Sequence, residues 1–137
     1  MTDQEKAQYY MKEWRSDWNK FIRDVLHARL DRQQQQIIES VQFNPLTAVV
    51  SGTARGKDFT TACACLAFLY LTPTFGRDEN GQITLIGNTK VAMTAPTDRQ
   101  VGNIMYPEIM RLYRQSKVLF GRCVGYDIRM PAYPEWF

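Results

Sequence analysis

Histidine and cysteine are scarce in this chain of 137 residues: there is one of the first and three of the second. His27 is the sole imidazole, so no Ser-His-Asp or Cys-His arrangement can be assembled around it. Its position near the end of the first expected helix, close to Arg29, reads as a helix-terminal residue rather than a general base. Cys63, Cys65 and Cys123 make an odd count with no second pair at metal-like spacing. On a helix, Cys63 and Cys65 point to different faces, so neither a zinc site nor a disulfide framework is indicated and a reducing compartment is expected. No long apolar run is present. The stretch 62–71 is too short to span a bilayer, and Asp3, Glu5 and Lys6 stand where a signal peptide would need an apolar segment behind its charges. The expectation is a soluble protein. Charge of one sign is also lacking: the formal net charge of +3 is compatible with a phosphate-bearing partner without arguing for one.

What is present is enough for one domain with a real core, since 45% of the residues are hydrophobic. Thr2 and Glu5 form a capping-box pattern for a first helix, on which Trp14, Trp18, Phe21, Ile22 and Val25 make one apolar stripe. Asp31 is placed to cap a second helix with Ile37, Ile38 and Val41 on its inner side, broken by Asn44 and Pro45. Segment 46–50 (LTAVV) reads as a strand covered on both faces, and 58–71 as a largely buried helix. Segment 72–88 is rich in turn residues, with a short strand at 82–86. Segment 90–94 (KVAMT) reads as a second core strand ended by Pro96. Asp98 could then cap a helix carrying Val101, Ile104, Met105, Ile109 and Leu112 inward. Strands alternating with helices imply a parallel sheet with right-handed crossovers. The tail 126–137 (YDIRMPAYPEWF) looks like a strand, a turn and the start of something apolar, which reads as a fragment stopping in mid-structure.

Between the expected strand and helix lies Ser51-Gly52-Thr53-Ala54-Arg55-Gly56-Lys57-Asp58. A strand feeding a small-residue turn and then a helix N-terminus suits a phosphate chain. Backbone N–H groups point inward, small residues allow close approach, and the helix dipole favours negative charge. Lys57, just after Gly56, would reach the outer phosphates, and Arg55 could bridge phosphate oxygens as a catalytic arginine. The match to the Walker A pattern is incomplete. Ser51 stands at the first glycine position, and Asp58 stands where a hydroxyl normally helps to hold magnesium. A carboxylate is a hard oxygen ligand, so Asp58 is a candidate magnesium ligand; its alternative role is to complement the helix dipole.

Three segments in order resemble the ATPase domain of the large terminase subunits of tailed bacteriophages. The first is Asp31-Arg32-Gln33-Gln34-Gln35-Gln36-Ile37-Ile38, in which Gln34 is the best candidate to read an adenine edge, ahead of Gln33 and Gln35. The second is the loop 51–58, with Phe59 completing the ATP-binding set. The third is Val91-Ala92-Met93-Thr94-Ala95-Pro96-Thr97-Asp98-Arg99-Gln100-Val101, similar to a TAPT-type turn near the DNA-facing or coupling side, with Thr94, Thr97 and Arg99 as contacts. The resemblance implies an incomplete P-loop NTPase of the α/β class, with a parallel sheet and flanking helices, preceded by N-terminal helices. Residues 1–30 would be an N-terminal amphipathic helical segment and 31–137 a partial ATPase domain ending before the Walker B strand.

It further implies an ATPase using ATP and Mg2+ in a motor that packages double-stranded DNA into procapsids. The partners would be the portal protein, the small terminase subunit and neighbouring copies in a ring, in the host cell cytoplasm and away from any membrane. Without the Walker B carboxylates, independent turnover by this chain is not expected. Helicase-like DNA translocases share the same three segments, and a non-catalytic nucleotide-binding remnant is a further alternative.

Overall fold

A computed structural model describes residues 2–49, 56–93, 105–116, 119, 122–124 and 127–129. Among them are five α-helices: α1 (Asp3–Ser16), α2 (Trp18–Asp24), α3 (Arg32–Phe43), α4 (Gly56–Leu71) and α5 (Tyr106–Gln115). Four short strands are also present: β1 (Thr74–Arg77), β2 (Ile83–Gly87), β3 (Arg122–Val124) and β4 (Asp127–Arg129). They form two separate two-stranded ribbons, β1 with β2 and β3 with β4, both antiparallel.

Local chemistry sets the helix starts. Thr2 and Glu5 form a reciprocal capping box at α1, and Asp31 and Gln34 form another at α3. The expected single N-terminal helix is interrupted at Asp17. Its N–H continues α1 by donating to the carbonyl of Glu13, while its side chain accepts from the N–H of Asn19 to open α2. The apolar stripe survives this break because α2 keeps Trp18, Phe21 and Ile22 buried. The chain then turns at His27, whose φ of 54° lies in the left-handed region. Gln115 at the end of α5 donates to the carbonyls of Leu26 and His27 at 3.1 and 3.3 Å, closing that turn against the bundle.

The centre is α4. Thr60, Ala62, Cys63, Ala64, Leu66, Ala67, Tyr70 and Leu71 are all buried, so it is enclosed on nearly every side. The small side chains of Ala62, Cys63, Ala64 and Ala67 let its neighbours approach closely. One core cluster joins it to Ile22 and Leu26 around α2, Ile38 of α3, and Ile109 and Leu112 of α5, with Met11 and Trp14 of α1 packed on the outside. Burial pushes the Cys63 thiol up to about 12, so it behaves as a small apolar group. No helix among the described residues is long and apolar enough to cross a membrane.

This arrangement overturns the expected incomplete P-loop NTPase class with its parallel sheet. Segment 46–49 is irregular, without a strand partner among the described residues, and Leu46 is 89% exposed, the reverse of a strand covered on both faces. Segment 90–93 is irregular too, so neither expected core strand joins a ladder among the described residues. Val50 and Thr94, which complete the two stretches, and Asp98, Val101 and Ile104 of the expected third helix lie outside the described residues. The strands that do form are joined locally. In β1–β2, Asp78 Oδ1 accepts the N–H groups of Asn80 and Gln82 at 2.9 Å each, and Gly81 takes the positive φ of the turn. Short loops close at small entropic cost, whereas a parallel pair needs a crossover of a dozen or more residues.

Two outcomes follow. Ile38 is fully buried, and Ile38→Ala should lower unfolding stability by about 2–5 kcal/mol in urea denaturation. Asp24 accepts from Arg23 Nε at 2.9 Å and from the Trp14 indole N–H at 3.1 Å, linking α1 to α2. The Arg23 hydrogen bond, helped by Trp14, holds its carboxyl below the ordinary value of 3.8 despite partial burial. A lowered folded pKa adds stability above the unfolded value that disappears as pH falls through the folded one. The stability gap between wild type and Asp24→Asn should therefore be full near neutrality and close as pH drops below 3.8.

Candidate functional site

The start of α3 and the start of α4 meet through one side chain. In the α3 capping box, Asp31 Oδ1 accepts the Gln34 N–H at 2.8 Å and Gln34 Oε1 accepts the Asp31 N–H at 2.9 Å. The same Gln34 amide turns its Nε2 toward the Gly56 carbonyl, donating at 3.5 Å. Gly56 is the first residue of α4, and a Cβ there would stand 2.6 Å from Gln34 Nε2. Gly56 therefore supplies the room in which the glutamine sits. Its carbonyl also accepts from Thr60 Oγ1 at 2.6 Å, and the next carbonyl, of Lys57, accepts from Thr61 Oγ1 at 2.8 Å. These side-chain bonds run back one helical turn and tighten the opening of α4.

Lys57 is half-buried and Asp58 is exposed. Asp58 lies in the first turn of α4, where its negative charge complements the helix dipole. Phe59 is half-buried against the core, and the Arg111 guanidinium of α5 lies 5.5 Å from its ring centroid. Arg111 also pairs with Glu108 at 2.8 Å. The start of α4 is thus held from two sides, by Gln34 of α3 and by Arg111 of α5.

Among the residues singled out in the sequence, Gln34 and Gly56 are brought into contact, and Lys57, Asp58 and Phe59 share the first turn of α4 with Gly56. Ser51, Gly52, Thr53, Ala54 and Arg55, and the DNA or coupling candidates Thr94, Thr97 and Arg99, lie outside the described residues. Gln33 and Gln35 do not reach α4: Gln33 is exposed, and Gln35 Nε2 donates to the Leu30 carbonyl at 3.0 Å. Thr60 and Arg111 were missed. Thr60 follows Gly56 by one helical turn, a spacing that could have pointed to it. Arg111 belongs to a distant segment, and no local pattern announces it.

The arrangement has definite chemical capacity. A helix N-terminus attracts anionic oxygens. An amide oxygen has two acceptor positions and an amide NH2 has two donors, so Gln34 keeps one of each beyond its bonds to Asp31 and Gly56. That is the complement of an adenine edge. Asp58 offers one exposed carboxylate, suited to share a magnesium ion with phosphate oxygens and water. Among the described residues no group of three or more His, Cys, Asp or Glu side chains gathers as it would around a protein-held metal.

No family model, no curated protein and no solved structure matches the chain.

The close approach of Gln34 to Gly56 makes a measurable coupling. Gly56→Ala alone should push the glutamine aside and gain little of alanine's helix preference. In a Gln34→Ala background the same change should stabilise. Chemical denaturation of the double-mutant cycle should return a coupling of about 0.5–1 kcal/mol, and additivity of the two changes would remove the contact from the account.

Proposed function

We propose that the chain is the ATP-binding portion of a DNA-packaging ATPase of the large-terminase kind. The contact of Gln34 with Gly56 carries this reading: it joins the glutamine segment to the end of the phosphate-loop segment, 22 residues apart in sequence. A base-reading amide and a phosphate-binding helix start must lie together if one nucleotide is to engage both. The order of glutamine segment, Gly-Lys turn and TAPT-type turn gives further support.

On this reading the N-terminus of α4 attracts the phosphates, Lys57 neutralises charge on the outer ones, Arg55 assists, and Gln34 recognises the base. Residues 51–55 would supply backbone donors, and Asp58 would share Mg2+ with the phosphates. Double-stranded DNA, a portal, a small terminase subunit and a ring of neighbouring copies are the partners that accompany such a motor, and Thr94, Thr97 and Arg99 are the contacts proposed toward DNA. The helical arrangement found here is not that of a P-loop sheet, so the proposal rests on the local α3–α4 junction and the sequence motifs. A second reading, a non-catalytic nucleotide-binding remnant, is favoured by Asp58, whose carboxylate replaces the usual hydroxyl next to the lysine.

Thermal denaturation with ATP, with and without Mg2+, tests the proposal. Ligand at about a hundredfold above Kd should stabilise the chain by about 2.7 kcal/mol. Lys57→Ala should abolish the shift, while a folded chain that ATP leaves unmoved would sink the reading. If Asp58 only repels phosphate, Asp58→Thr tightens Mg-ATP binding; weaker binding assigns it to the metal.

A further inference from the structure

Among the described helices, α2, α3, α4 and α5 each send at least one fully enclosed side chain into the core, whereas α1 buries none of its 14 residues. Only its half-buried Met11 and Trp14 rest on the cluster. Tyr9 and Tyr10 stay open to solvent, and Tyr10 stacks on Trp14 at 5.8 Å instead of entering the core. We infer that α1 is a latch: it detaches and melts as one unit while α2–α5 stay folded. Opening would uncover Phe21 of α2, against which Trp14 packs edge to face at 6.0 Å, and would free the Pro73 carbonyl ahead of the β1–β2 ribbon.

The ties that hold α1 shut are largely polar. The Trp14 indole N–H donates to Asp24 at 3.1 Å, Lys20 Nζ pairs with Glu13 at 2.8 Å, and Arg15 donates to the Pro73 carbonyl at 3.0 Å. Solvent-exposed ties of this kind are individually weak, so they set a shallow well beside the one made by the buried side chains of α4. One residue of α3 clasps the junction. Gln42 Nε2 donates to the carbonyls of Arg15 and Ser16 at 3.2 and 3.0 Å, and its Oε1 accepts the Trp18 N–H at 3.0 Å. A single amide therefore satisfies the end of α1 and the start of α2. Beyond that clasp, α1 has only its own hydrogen bonds and the local Thr2–Glu5 capping box. An isolated helix of this length is marginal in water, so α1 would lose its hydrogen bonds together with its contacts. The inference is independent of nucleotide binding, because none of these ties involves Gln34, Gly56, Lys57 or Asp58.

Native-state hydrogen exchange on the whole chain, read amide by amide with no nucleotide present, tests it. The α1 amides of residues 7–16 should share one protection factor, at least about tenfold below that of the α4 amides. Two variants separate the units. Ile38→Val trims the core while keeping a branched apolar side chain, and should lower α4 protection by about twofold to tenfold. It should leave α1 protection unchanged, because Ile38 stays packed when the latch opens. Trp14→Phe keeps a ring on Phe21 but removes the indole donor, and should lower α1 protection by about threefold or more. Equal protection in α1 and α4 overturns the inference, as does protection graded along α1, which is fraying. So does an Ile38→Val effect shared equally by both helices, or α1 exchange indifferent to Trp14→Phe.

Discussion

The burial of α4 is the constraint on which the other elements depend. A helix whose surface is apolar nearly all round cannot lie at an edge; it must be covered from several directions at once. Helices α1, α2, α3 and α5 all contact it, and the amphipathic faces of α2, α3 and α5 contribute Ile22, Ile38 and Leu112 to its enclosure. Polar ties then fix what apolar contact leaves loose. Arg15 of α1 donates to the Pro73 carbonyl at 3.0 Å, tying the chain ahead of the β1–β2 ribbon to α1, and the buried hydroxyl of Thr89 donates to the Leu69 carbonyl at 3.0 Å, holding the chain after the ribbon against the end of α4.

The helical part of this arrangement was readable because its determinants are local. Thr2 with Glu5 and Asp31 with Gln34 are reciprocal hydrogen-bonding pairs at fixed spacing, and Asn44 with Pro45 stops α3 where it should stop. The sheet was misread because its determinants are not local. A short apolar run such as 46–50 has no period that separates a buried strand from any other apolar segment, and its fate turns on whether a neighbouring strand exists. Asp17 misled in the opposite sense. Surrounded by helix-compatible residues, it passed as one more turn of a continuous helix, yet its side chain caps α2.

The candidate site divides along the same line. The Gln34 position follows from the register of α3, since Ile38 must face inward, and the sequence shows that register. Its meeting with Gly56 depends on how α3 and α4 cross, which no local pattern states. The missing Cβ is the one local clue, because glycine at the head of a helix lowers helix preference and needs a reason. Here the reason is the amide of Gln34. Arg111 over Phe59 is a purely tertiary meeting, assembled from segments some fifty residues apart.

Asp17 also fixes a length. It is the last residue to bond into α1 and the side chain that starts α2, so the two helices share a junction with no slack. An α-helix turns by about 100° per residue. One residue inserted or removed here would rotate α1 by that angle about its axis, carrying Met11 and Trp14 off the core and bringing charged positions toward it. The junction therefore works as a gear tooth: substitutions within either helix leave the meshing intact, whereas a change in residue count at this point disengages one helix from the other.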